Sequence, residues 1–232
     1  MITARSIALL PIFIALGCTQ NHPSSQTPST PVVLDTQDGA TFQANLYGQG
    51  NRGVVLAHGG RFNKESWDPQ ARVLAEHGFR VIAFDFRGVG QSHGPGDSDF
   101  FTPSRKFDVL AAARYLRDNG ATTVSIIGGS LGGGFAADAA LDSPGLFDRI
   151  VFLSATPGGQ LESLGGRKLF IMARDDVSGD GARLPGFMAA YGKTAPPKQL
   201  LIVDGSAHAQ FLFQSDQSDR VMTEILKFLE AK

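Results

Sequence analysis

The apolar positions fall into two alternating kinds of segment. "GVVLAH" (53–58), "RVIAFDF" (80–86), "TVSIIG" (123–128), "RIVFLSA" (149–155), "KLFIMA" (168–173) and "KQLLIVDG" (198–205) are short, nearly continuous apolar runs. Such runs fit parallel strands covered on both faces. "TFQANLYG" alternates apolar and polar residues, as an early antiparallel strand does. Between the runs lie helix-like stretches, among them "ESWDPQARVLAEHG", "SRKFDVLAAARYLRDNG", "LGGGFAADAAL", "LPGFMAAYGK" and "SDRVMTEILKFLEA". Gly78 and Gly120 stand where two of these helices should stop. Repeated strand–helix alternation predicts an α/β fold around a mostly parallel, twisted sheet, in one domain over residues 32–232.

The first residues depart from this pattern. "MITARSIALLPIFIALGC" carries Arg5, then the apolar run Ile7 to Leu16, then Gly17 and Cys18. That run is too short for a bilayer span, which takes about 20 residues, and reads as the core of a signal peptide over residues 1–17. The segment Ala15-Leu16-Gly17-Cys18 resembles a bacterial lipobox, although Leu stands at its second place rather than its first. The resemblance implies lipid attachment at Cys18, membrane anchoring and an exported, cell-envelope location; an ordinary secretory signal is the alternative. Residues 18–31, rich in Ser, Thr and Pro, read as a tether with a reach of about 40 Å.

Composition narrows the chemistry. Of 232 residues, 42% are hydrophobic, enough for one sizeable core. Twenty-one basic residues against 22 acidic ones, with no basic block, give no footprint for nucleic acid. Cys18 is the single cysteine, so neither an intrachain disulfide nor a Cys/His metal cluster is expected. No cofactor is expected either.

In open α/β sheets the working residues lie just beyond the carboxyl ends of the strands. "VSIIGGSLGGGF" (124–135) is such a place. A phosphate loop would need Lys-Ser/Thr after the glycines, and a dinucleotide fingerprint would need glycines where Ser130 and Leu131 intervene. Gly128-Gly129-Ser130-Leu131-Gly132 instead fits G-x-S-x-G, a sharp strand-to-helix turn that presents a serine nucleophile. A serine at its free pKa needs a base. Of the five histidines, His22 lies in the tether, His77 at a helix end and His93 in a Gly-rich loop, while His58 ends a strand where its backbone shapes the loop. His208, after the last strand, is the candidate base. An orienting acid comes from "KLFIMARDDVSGD", with Asp176 the choice and Asp175 the alternative. The backbone N–H groups of Leu131 and of Gly60, in "HGGRF", are candidates for an oxyanion hole.

Together these segments resemble the α/β-hydrolase superfamily. Ser130, Asp176 and His208 occur in its order of nucleophile, acid and base; "LAHGG" is similar to its oxyanion loop; "FDFRGVGQS" (84–92) resembles its D-x-R-G-x-G-x-S segment. The resemblance implies an eight-stranded sheet flanked by helices with the second strand antiparallel, bracing roles for Asp85, Arg87 and Ser92, and hydrolysis through an acyl-enzyme. Only residues 156–167 fill the interval where the family often inserts a cap, so no cap domain and a comparatively open site are expected. That favours a small-molecule ester with a short acyl group, with Phe62, Trp67 and Phe101 read either as pocket walls or as ordinary core aromatics, the core being the better reading for Trp67. A thioesterase, a peptidase, a lipase or a non-catalytic envelope lipoprotein used as a binding module are the alternatives, since fold does not fix substrate.

Overall fold

The computed structural model describes residues 28–231. Cys18, the expected signal peptide and most of the expected tether lie outside the described residues. Eight strands form one sheet: β1 (Ser29–Asp35), β2 (Thr41–Tyr47), β3 (Arg52–Ala57), β4 (Phe79–Phe84), β5 (Thr123–Gly129), β6 (Arg149–Leu153), β7 (Arg167–Ala173) and β10 (Lys198–Val203). Their spatial order is β1-β2-β4-β3-β5-β6-β7-β10. Only β2 runs against its neighbours; all other pairings are parallel, as the resemblance implied.

Five helices, α1 (Asp68–Glu76), α2 (Arg105–Asp118), α3 (Leu131–Asp142), α4 (Leu184–Lys193) and α5 (Ser218–Glu230), cover the two faces. Double coverage explains the continuous apolar runs. Along β3, Val55 and Ala57 join one core with Val109 and Leu116 of α2 and Ala136 of α3. Val54 and Leu56 point the other way, into a second core with Leu74 of α1 and Ile225 of α5. In α5 the buried residues Val221, Ile225, Phe228 and Leu229 recur at helical spacing and form the stripe that meets the sheet. Trp67 is fully buried in that second core, as expected of it.

Two parts of the chain differ from the sequence expectation. β1 begins at Ser29, so residues 29–31 belong to the sheet rather than to the tether. Their Pro31 is compatible with a strand because β1 is an edge, where a missing N–H leaves no ladder bond broken. Beyond β7 the chain makes a small hairpin, β8 (Val177–Ser178) with β9 (Gly181–Ala182), where the sequence carries only Gly and Asp punctuation. Between β6 and β7 there is one 3-10 turn, Leu161–Ser163, and no cap domain.

Candidate active site

Ser130 follows β5 and leads into α3 with φ 47° and ψ −113°. This left-handed backbone, outside glycine's usual preserve, costs about 1–3 kcal/mol and turns the side chain out of the strand direction. Its neighbours show how the turn fits. A Cβ on Gly128 would come within 2.5 Å of the Gly133 backbone, and one on Gly132 would overlap the Ala57 carbonyl. Gly133 is crowded by Ala155, whereas a Cβ on Gly134 meets nothing within 4 Å. A Cβ on Gly129, whose role the sequence leaves open, would come within 2.5 Å of Gln210 Oε1.

The Ser130 hydroxyl lies 2.8 Å from His208 Nε2, and His208 Nδ1 lies 2.7 Å from Asp176 Oδ2. With a carboxylate as its partner, Nδ1 carries the proton, and Nε2 is left to accept from the serine. Three strands deliver these groups: β5 ends one residue before Ser130, β7 a few residues before Asp176, and β10 a few before His208. Asp176 is fully buried. Asp175 is exposed and turned away, its N–H donating to the Gly205 carbonyl, and Arg174 pairs with Asp204 rather than with Asp175.

The loop after β3 completes the group. The Leu131 N–H is the first of α3 and has no acceptor within the helix. The Gly59 N–H donates to Gln210 Oε1 at 3.2 Å, and Gly60 follows on the cavity wall. A Cβ on Gly60 would overlap the far end of the Phe100 ring, a partly exposed side chain. His58 does more than lend its backbone. Its buried ring donates from Nδ1 to the Gly59 carbonyl at 2.8 Å, and Nε2 accepts from the Phe86 N–H at 3.2 Å. Burial holds its pKa below the ordinary imidazole value, in keeping with this neutral tautomer.

Asp85, Arg87 and Ser92 stand outside the serine's reach. Asp85 Oδ1 accepts from the Lys64 N–H and Oδ2 from the Lys64 ammonium, both at 2.7 Å, which ties β4 to the loop after β3. Arg87 is clamped between Asp108 and Asp38. Ser92 Oγ accepts from the Gln43 N–H at 2.9 Å.

Ser130 and His208 open into a cavity of about 810 Å³, walled by Phe62, Phe100, Phe101, Phe135 and Phe211 and by Val177 of the β8–β9 hairpin. Phe62 and Phe101 are where the sequence placed them. Phe100, Phe211 and the hairpin are lining that sequence reasoning missed. Sequence reasoning also missed Gln210, a buried polar residue behind the wall whose partner Gly59 lies 151 positions away in the chain.

A family model described as alpha/beta hydrolase fold matches residues 53–223. The chain is 33% identical over 133 residues to a non-heme chloroperoxidase of Kitasatospora aureofaciens, covering 56% of this chain and 46% of that protein. It is 34% identical over 125 residues to a serine hydrolase-like protein of Dictyostelium discoideum, covering 53% of this chain and 34% of that one. The matched stretches thus span less than half the length of these curated relatives. Among solved structures, an esterase of Pyrococcus furiosus superposes with a TM-score of 0.72 at 18% identity, over 88% of this chain and 91% of that one. At that identity the likeness concerns the fold alone.

Proposed function

This chain belongs to the α/β-hydrolase family, and from that membership and the geometry above we propose that it is a serine esterase cleaving carboxylic esters with small acyl groups. One observation carries the reading: the Ser130 hydroxyl, His208 and Asp176 form a continuous hydrogen-bonded chain at the mouth of an aromatic-walled cavity.

In this mechanism Ser130 Oγ attacks the ester carbonyl while His208 Nε2 takes its proton. Asp176 holds the imidazole in the required tautomer and stabilises the imidazolium. The N–H groups of Leu131 and Gly60 receive the developing oxyanion. His208 then protonates the departing alcohol, leaving an acyl-enzyme that water opens by the same steps in reverse. The strained turn at Ser130 spends folding energy to keep the hydroxyl in attacking position. A volume of about 810 Å³ suits a small or medium ester and lies within the usual range for ligand pockets.

Labelling with a fluorophosphonate probe tests the proposal. Ser130 should label in the folded protein, and Ser130→Ala should lose both labelling and p-nitrophenyl ester turnover. A folded wild-type chain that neither labels nor turns over such esters would end the esterase reading and favour a binding module. The expected lipid anchor at Cys18 is tested separately, since Cys18→Ser should move the protein from the membrane to the soluble fraction.

A further inference from the structure

The charge around the cavity is one-sided. Arg61 and Arg183 line it, and no Asp or Glu does. The whole chain balances 21 basic residues against 22 acidic ones, so this imbalance is local. Arg61 is exposed and pairs with no carboxylate among the described residues. Arg183 Nε approaches Asp176 Oδ1 to 3.4 Å. The approach misses hydrogen-bond geometry, and neither atom has another partner. A third cation, Arg105, is buried with its guanidinium 5.2 Å from the centre of the Phe100 ring, and its Nε and Nη1 lack hydrogen-bond partners. It adds positive charge one ring behind the cavity wall.

The wall after β6 supplies an independent sign of a ligand. Ser154 lines the cavity with φ 50°, a left-handed conformation that a side chain rarely adopts. It is 3% exposed, and its hydroxyl has no partner in the folded chain. Backbone strain beside an unmatched buried hydroxyl clusters at sites that meet ligands. Thr156 continues this wall. Its Cγ2 lies 3.8 Å from where a Cβ on Gly186 would stand, which sets the wall beside the first turn of α4 and hence near Arg183.

An ionised carboxylate entering such a cavity gives up its hydration and needs charged or hydroxyl donors in return. Neutral esters need none of these groups. We infer that the cavity selects esters bearing a second, ionised carboxylate, such as half-esters of short dicarboxylic acids, with Arg183 and Ser154 receiving that carboxylate and Arg61 drawing it to the mouth. The phenylalanine walls cover the short apolar chain between the two ends. The inference rests on the reading of Ser130 as the nucleophile of an esterase.

Monoethyl glutarate and ethyl pentanoate test it, because they differ only by a carboxylate in place of a terminal methyl. In a pH-stat assay the anionic ester should show a kcat/KM at least about tenfold higher, the worth of one charge-assisted hydrogen bond. The advantage should lie mainly in KM and shrink as salt screens the rim charges. The ratio of the two kcat/KM values should fall toward one in Arg183→Gln and part of the way in Arg61→Gln, and Arg183→Lys should keep part of it. Equal turnover of the two esters by the wild type would overturn the inference and leave the esterase standing. An Arg183→Gln variant that slows both esters in equal proportion would also overturn it, because Arg183 would then serve Asp176 alone. Turnover of neither ester, with Ser130 unlabelled, would remove the esterase reading and the inference with it.

Discussion

Asp175 and Asp176 are adjacent in the chain, yet only the second is shut away from water and bonded to His208 at 2.7 Å. Asp176→Ala should therefore lower kcat by about 10⁴, as loss of the orienting acid does in comparable triads. Asp175→Ala should stay within about twofold of wild type, as ordinary surface substitutions do. Steady-state assays on one p-nitrophenyl ester distinguish the two. The glycines of the turn divide in the same way. An alanine methyl at Gly133 runs into Ala155, whereas one at Gly134 enters open space. In thermal or urea denaturation, Gly133→Ala should destabilise by about 1–3 kcal/mol. Gly134→Ala should stabilise by about 0.5–1 kcal/mol, because the helix gains a better former without a clash.

At the scale of elements, one side chain joins three of them. Gln210 Oε1 accepts from Gly59 in the loop after β3, its Nε2 donates to Ser66 Oγ at 3.1 Å, and it packs against Gly129 at the end of β5. It also sits two residues from His208. Gln210→Ala should lower kcat by about 10- to 100-fold, by letting the loop after β3 and the His208 loop drift apart, while Ser130 still labels with a fluorophosphonate. Nothing in the sequence marks Gln210, because its contacts lie far along the chain. The large elements were legible for the opposite reason. Strands covered on both faces must be apolar throughout, and a nucleophile turn must place small residues around one serine, so β3 to β7 and the Ser130 region announce themselves locally. β1 was hidden by its edge position, where Pro and Ser are tolerated. The β8–β9 hairpin was hidden by its length, since two residues per strand hold no periodicity. The choice of Asp176 over Asp175 is a matter of side-chain direction that spacing suggests and only the fold displays.

Over the whole molecule, the buried His58 couples stability to pH. Its folded pKa is held down, chiefly by burial. Below the ordinary imidazole value of about 6.5 the unfolded chain binds a proton that the folded one refuses. The contribution of His58 is thus complete above about pH 6.5 and is lost as the pH falls, with a limiting slope of about 1.4 kcal/mol per pH unit. Urea midpoints measured from pH 7.5 down to pH 5 should show this decline, and His58→Gln should flatten it. An NMR titration in which the His58 ring protonates near 6.5 in the folded protein would contradict the account.

The direction of β1 has a consequence for how the molecule faces its surroundings. β1 runs against β2, and β2 runs against β4, so β1 points the same way as the parallel strands. Ser29 therefore enters the sheet at its amino end, while Ser130, Asp176 and His208 gather at its carboxyl end. It also enters at the outer edge, four places from β5, a lateral offset of about 19 Å at the usual strand spacing. Any support attached through the chain before Ser29 would hold the domain by its back corner. The cavity lies at the end of the domain opposite that attachment.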